Sequence, residues 1–240
     1  MKKLLKILVR KTLKILNLKL SFYDKSRSRY LKAIDSLGIN VIFDIGANAG
    51  QFALEVLDDG FSGKIISFEP TSEVYKKLKV NNQKFSNWQI YERVAVGEKC
   101  GTTTINVAGN SAASSSILAM GEVHQDAAPE ANFISSETVN MITLDSVFKN
   151  YASQSSKCLL KIDVQGYEDQ VLQGSLNSIQ QINAIKLECS LVSLYDGDKT
   201  FEYYFDFFKK NGFELFDIET GFSNPVTGQL LQFDALFVRR

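Results

Sequence analysis

The sequence predicts an α/β domain built on an open, mostly parallel sheet with helices on both faces. Three observations carry this. Short apolar, β-branched runs alternate with stretches of helical period. The first run leads into a glycine-bearing turn, VIFDIGANAGQF at 41–52. Acidic residues close several of the runs, at the strand ends where an open parallel sheet takes its ligands.

In chain order, the first twenty residues, MKKLLKILVRKTLKILNLKL, have a helical period. Leu5, Leu8, Val9, Thr12, Leu13, Leu16 and Leu20 fall on one face, with Lys3, Lys6, Arg10, Lys14 and Asn17 opposite. Such a helix either lies on an anionic membrane surface or packs on protein with its basic face in solvent. A second helix is expected over Ser28–Leu37, ended by Gly38. Residues 1–37 therefore read as a basic amphipathic helical segment, and 38–240 as the main domain.

Val41–Ile45, Lys64–Phe68 and Trp88–Val94 read as strands, with helices at Gln51–Asp58 and Ser72–Asn81 between them. The region at about 100–145 reads as an insertion. It has β character at Thr102–Val107 and Thr138–Leu144, joined by a Ser- and Ala-rich stretch expected to be a partly mobile loop with little core of its own. Strand Cys158–Ile162, helix Glu168–Leu172 and strand Ala184–Cys189 resume the alternation. The aromatic-rich helix Phe201–Asn211 ends at Gly212, and Phe213–Ile218 and Phe233–Val238 read as a closing antiparallel pair. The stripe Tyr203, Tyr204, Phe205, Phe207 and Phe208 reads as core.

The chain has 240 residues, enough for one full core. Lys+Arg and Asp+Glu both number 27, so no global basic field suggests nucleic acid. Cys100, Cys158 and Cys189 form no metal-like spacing, and a reduced, cytoplasmic protein is expected, with peripheral contact at the inner membrane face as the option that the basic helix leaves open. No apolar run reaches the ~18 residues of a membrane span. Lysines interrupt the N-terminal apolar residues, so no signal peptide is read there.

The turn after the first strand has no lysine, which argues against a nucleoside triphosphate loop. Asn48 and Gln51 stand at the second and third glycine places of a dinucleotide fingerprint, which disfavours that ligand. Asp44, Glu69 and Asp163 at strand ends would repel phosphate. They suit a ligand with an amino group, ribose hydroxyls and a sulfonium charge, which describes S-adenosylmethionine. Glu69 offers two forked acceptor oxygens for two ribose hydroxyls, and Gly46 and Gly50 permit close backbone approach.

At this point the sequence resembles the FkbM family of S-adenosylmethionine-dependent methyltransferases. The matching stretches are FDIGANAGQ (43–51), SFEP (67–70), VAVGE (94–98), SSSIL (114–118), TLDS (143–146), LKIDVQGYEDQVLQG (160–174) and KLECSLVSLYDG (186–197). The pattern departs at Gln165, where the family carries an acidic residue. The resemblance implies a class I methyltransferase fold, a seven-stranded sheet with an antiparallel last strand. It also implies methyl transfer to oxygen, often a sugar hydroxyl on a glycan or natural product. A glycan or glycolipid precursor is the main expectation for the acceptor. Methylation of a small natural product or of nitrogen, or a non-catalytic binding module that retains the fold, are the alternatives.

By position in that fold, Asp44, Gly46, Ala47, Asn48, Gly50 and Gln51 are expected around the methionine part of the cofactor. Glu69 is expected on the ribose, with Pro70 and Thr71 by the adenine or ribose, Ala95 against adenine, and Ser115 and Ser116 either reaching the cofactor or closing the site. An acceptor hydroxyl must lose a proton, and Asp163 is the first candidate for base or acceptor anchor. Glu168 and Glu188 are expected to complete an acidic cluster with it, and Lys161 to pair with a carboxylate. Three carboxylates are also a ligand set for Mg²⁺, although metal dependence is not expected. Tyr195 and Asp196 are candidate sugar contacts. His124, the only histidine, lies in the middle segment and is expected at the surface.

Overall fold

The computed structural model describes residues 29–240. The N-terminal basic helix expected over the first twenty residues lies outside them. Helix α1 (Arg29–Ser36) is followed by β1 (Val41–Ile45), α2 (Gln51–Asp58), β2 (Lys64–Phe68), α3 (Ser72–Asn81) and β3 (Trp88–Ile90). Then come β4 (Val94–Val96), β5 (Gly101–Ala108), α4 (Glu122–Ala127), β6 (Phe133–Ile142) and α5 (Leu144–Val147). The chain continues through β7 (Cys158–Ile162), α6 (Glu168–Gln173), β8 (Ile182–Ser190), α7 (Phe201–Lys210), β9 (Phe213–Thr220) and β10 (Gln232–Arg239). Among the described residues no helix is long and apolar enough to cross a membrane.

Seven strands form the main sheet in the order β3-β2-β1-β7-β8-β10-β9. All neighbours are parallel except at β10, which runs antiparallel to both β8 and β9. This is the class I methyltransferase sheet. The chain moves outward from β1 to β3 on one side and resumes with β7 on the other. The β1–β7 boundary is therefore the switch point, where the loops leaving the carboxyl ends diverge.

Strand alternation sends side chains into two cores. Val41, Phe43 and Ile45 of β1 join Cys158, Leu160 and Ile162 of β7 on one face, covered by Leu144, Val171, Tyr204 and Phe208 from α5, α6 and α7. Ile42 and Leu159 point the other way, onto Ile34, Val56 and Leu78 of α1, α2 and α3. Each fully buried aliphatic or phenyl side chain contributes about 1.5–3 kcal/mol. On this second face the period also delivers charges: Asp44 follows Ile42 and Lys161 follows Leu159, and the register sets these two side by side.

The structure departs from the expected elements in two places. The expected strand Trp88–Val94 is broken at 91–93, and its end, as β4, joins a separate three-stranded sheet in the order β4-β6-β5. The Ser- and Ala-rich middle segment also has a core of its own. Met120, Ala127, Ala128 and Ala131 bury against Leu194, Tyr195 and Leu231. Of the aromatic stripe on α7, Tyr204 and Phe208 are buried, while Tyr203 and Phe205 face solvent at 36% and 37%.

The switch point is tight. Gly46 has φ +75°, and a Cβ there would lie 1.8 Å from the Asp163 carbonyl oxygen. Gly60, beyond α2, has φ +96° but nothing within 4 Å. Gly60→Ala is expected to cost about 1–2 kcal/mol from the left-handed backbone alone. Gly46→Ala adds about 1–3 kcal/mol of overpacking to that strain. Urea denaturation checks the difference, and equal midpoints for the two variants would contradict the close approach.

Candidate active site

The loop after β1 is held by its neighbours. Gly46 and Ala47 donate backbone hydrogen bonds to the Phe68 carbonyl at 3.1 and 3.0 Å, and Asp163 donates to the Ile45 carbonyl at 3.1 Å. Asn48 takes φ +48°, which asparagine tolerates better than most residues, and its Oδ1 accepts from the Ala49 amide at 2.6 Å. Gly50, at φ +92°, starts α2 where the Trp88 ring leaves no room for a Cβ.

Beneath the loop lies a buried ion cluster. The Lys161 Nζ sits 3.3 Å from Asp44 Oδ1 and 3.5 Å from Asp163 Oδ2, and donates to the Gly46 carbonyl at 2.7 Å. Asp44 Oδ2 accepts from Ser67 Oγ at 2.8 Å. Burial alone would lower the Lys161 pKa, but Asp163 and Asp44 hold it above the ordinary lysine value.

Two cavities open on either side of this point. The first is narrow, lined by Glu69, Pro70 and Thr71 beyond β2, by Val94, Ala95 and Val96 of β4, and by Ala113, Ser115 and Tyr167. Glu69 is held from below: Oε2 accepts from the Asn48 amide at 2.9 Å, and Oε1 from the Thr71 amide and hydroxyl at 2.8 and 2.5 Å. Burial raises its pKa against these donors, which pull it down.

The second cavity has a volume of about 500 Å³. Lys161, Asp163, Lys186, Glu188, Gln232 and Asp234 line one side of it, and Tyr30, Phe52, His124 and Phe222 bring aromatic rings. Lys186 is itself neutralised by ion pairs to Asp234 and, at 3.5 Å, to Glu219. Glu188 is raised well above the usual carboxylate range, first by burial and then by Asp163 and Glu168 nearby. The two cavities share Gly46, Asn48, Ala113, Asp163 and Gln165.

A family model described as the Methyltransferase FkbM domain matches residues 44–215. The chain belongs to the FkbM methyltransferase family. No curated protein matches the sequence. Among solved structures, TehB from Haemophilus influenzae is 7% identical with a TM-score of 0.50, over 91% of this chain and 64% of that one. Magnesium protoporphyrin IX methyltransferase (ChlM) from Synechocystis PCC 6803, solved with bound SAM, is 10% identical with a TM-score of 0.47, over 88% and 75%. At 7% identity the likeness to TehB is one of fold.

Family membership makes this FkbM protein an S-adenosylmethionine-dependent methyltransferase, and residues lining the first cavity are of the kinds that cofactor requires. A buried carboxylate just past β2 can accept from a ribose hydroxyl, apolar residues of β4 line the same cavity, and Gly46 lines it with backbone alone. Of the residues expected to bind the cofactor, Gly46, Asn48, Glu69, Pro70, Thr71, Ala95 and Ser115 line this cavity. Ala47 and Gln51 line the second cavity instead. Asp44, Gly50 and Ser116 line neither. Asp44 is spent on Lys161 and Ser67, and Gly50 on the Trp88 ring. Ser116 donates to the Gln165 carbonyl at 2.6 Å and accepts from the Leu118 amide.

Of the expected acidic cluster, Asp163 and Glu188 line the second cavity, and Glu168 does not. The Glu168 carboxylate turns inward, accepting from the Val164 amide at 2.9 Å and the Gly166 amide at 3.3 Å, so it shapes the loop after β7. Among the described residues no group of three metal-ligating side chains is present. Tyr195, expected to meet the acceptor, is fully buried and bonds Gln165 at 2.8 Å. Asp196 is exposed and lines neither cavity.

The histidine expected at the surface is 2% exposed, because α4 folds its ring between Tyr195 and Phe222 at 5.1 and 5.4 Å. Burial lowers its pKa, and Nδ1 has no hydrogen-bond partner among the described residues. Lys186, Gln232 and Asp234 were also missed as site residues. Their one sequence signal is a polar side chain inside an apolar strand.

Burial pushes the Glu168 carboxyl up to about 8, against an ordinary 4.5. The folded chain therefore holds this proton more tightly than the unfolded one. The associated stability is complete below about pH 4.5 and is lost as pH rises through about 8, at up to about 1.4 kcal/mol per unit. Glu168→Gln keeps an acceptor oxygen and removes the titration. Its melting temperature relative to wild type is expected to rise from about pH 5 to about pH 8. A difference that stays flat across that range would rule out a buried neutral acid at this position.

Proposed function

We propose that this methyltransferase methylates a hydroxyl oxygen carried by a sugar in a glycan or glycolipid precursor. The observation that carries this reading is the second cavity and its junction with the first. Its volume of about 500 Å³ suits a sugar-sized group. Its carboxylates and amides can accept from and donate to several hydroxyls, and Phe222, Phe52 and Tyr30 offer apolar surface to a ring. Both lysines are neutralised by acids, so little attracts an anionic acceptor group.

Glu69, Thr71, Ala95 and the loop at Gly46 would hold S-adenosylmethionine in the first cavity. Bound there, the cofactor supplies a methyl group activated by a sulfonium. The chain's own task is to bring a hydroxyl to the junction and relieve it of a proton. Asp163 lines both cavities, so it anchors the acceptor hydroxyl there. Lys161 fixes the Asp163 carboxylate from below. Glu188 lines only the acceptor side. Burial raises its pKa, so in its ionised form it is a stronger base than an ordinary carboxylate.

The direct test is transfer of labelled methyl from S-adenosylmethionine into glycan and lipid-linked sugar extracts, with the product identified. Methyl on a sugar oxygen is expected; methyl on nitrogen, or on a product without sugar, overturns the reading. Asp163→Ala is expected to remain folded and lose about 100-fold or more in turnover. Wild-type turnover in that variant would reject its role. Glu69→Ala is expected to weaken S-adenosylmethionine binding by about 1–3 kcal/mol, read by calorimetry; unchanged affinity would remove Glu69 from the cofactor site.

A further inference from the structure

Gln165 joins the two carboxylates of the acceptor cavity. Its Nε2 lies 2.9 Å from Asp163 Oδ1 and 2.5 Å from Glu188 Oε2. A side-chain amide has two N–H donors, and both are spent here. Its Oε1 accepts from the Tyr195 hydroxyl at 2.8 Å, which fixes the end of the amide that faces the acids. Tyr195 is fully buried and packs so closely on Gly166 that a Cβ there would lie 2.8 Å from it. The Gln165 backbone is held at φ +55°, with its carbonyl bonded by Ser116 Oγ at 2.6 Å. Glu188 Oε2 takes a further donor, Gln232 Nε2, at 3.1 Å.

Asp163 is partly exposed, and its Oδ2 already has Lys161 Nζ at 3.5 Å. Two carboxylates that converge on one point repel when both are ionised unless a donor or a positive charge lies close. A shared proton, a cation or an N–H donor can fill that role. Here an amide nitrogen fills it, and both acidic oxygens lie within 2.9 Å of one atom. Calcium–oxygen bonds run at about 2.3–2.6 Å, so the oxygens already stand within a few tenths of an ångström of cation-binding positions.

We propose that Gln165 is a positioning residue whose amide stands in for a divalent cation between Asp163 and Glu188. It holds one oxygen of each acid and leaves the other oxygen of each free of the amide. Its importance for catalysis rests on the hydroxyl-methylating reading above; the cation argument does not.

Replacing the amide with a carboxylate is the test. Gln165→Glu exchanges two donors for a third acidic ligand at the same position. The full chain, this variant and the double variant Gln165→Glu/Asp163→Asn are titrated with Mn²⁺ and followed by electron paramagnetic resonance. The expected result is one Mn²⁺ per chain in Gln165→Glu, bound at least tenfold more tightly than in wild type, with the gain lost in the double variant. Should Gln165→Glu not fold, Gln165→His makes the same test, because imidazole ligates a cation without adding negative charge. A folded variant with no gain in Mn²⁺ affinity overturns the proposal. So does wild-type protein that binds Mn²⁺ as tightly as the variant and loses it on Asp163→Asn. Neither readout needs methyl transfer, so failure here is separate from failure of the proposed function.

Discussion

The site depends on one ammonium group. Lys161 reaches from β7 under the switch point and ties together Asp44 of β1, Asp163 of the β7 loop and the carbonyl of Gly46. Two segments far apart in sequence, 44–46 and 161–163, are thereby fixed at the place where both cavities meet. The buried charges of Lys161 and Asp44 are supportable only because each has the other. Removing either strands the other's charge, which typically costs about 3–5 kcal/mol. Asp163 is partly exposed, and its removal leaves that pair intact. The tight approach of Gly46 to Asp163 is the steric counterpart of the same tie. Everything downstream, from the Glu69 cradle to the clamp on Asp163, is built on loops that this lysine orients.

The fold was legible because its signals are local and repeated. β-branched runs of about five residues, interrupted at turns and amphipathic stretches, can hardly pack except as a parallel sheet covered on both faces. Glycines at 46 and 50 marked the loop, and acids at 69 and 163 marked the strand ends. The middle segment was not legible for the complementary reason. Its core is made by Ala127, Ala128, Ala131 and Met120, and alanines carry too little hydrophobic contrast to show a period. His124 was misplaced with it. The break after Ile90 was equally invisible, since 91–93 are ordinary residues whose turn is set by the second sheet.

Among the site residues, type and position were readable, and direction was not. Asp163 and Glu168 are both acids near the end of the same strand, yet Asp163 faces the cavities and Glu168 faces its own loop. Ser115 and Ser116 are neighbours, and the first lines a cavity while the second is sealed beneath Gln165. Tyr195 was taken for an acceptor contact and instead buttresses the residue that grips the acids. Backbone direction at these positions is set by left-handed residues, Asn48, Gln165 and Gly166, whose conformations depend on contacts distant in sequence. The amide at 165 stands at the centre of this network.

The placement of β10 bears on how the chain is made. This strand is threaded between β8 and β9, both synthesised before it. Until residue 239 has left the ribosome, those two strands have no ladder between them and each presents a bare edge. The sheet therefore closes late, with β9 left outside the five strands that pair without β10. The nascent domain is most exposed to misassociation over that interval, and a chaperone would have the most to protect there.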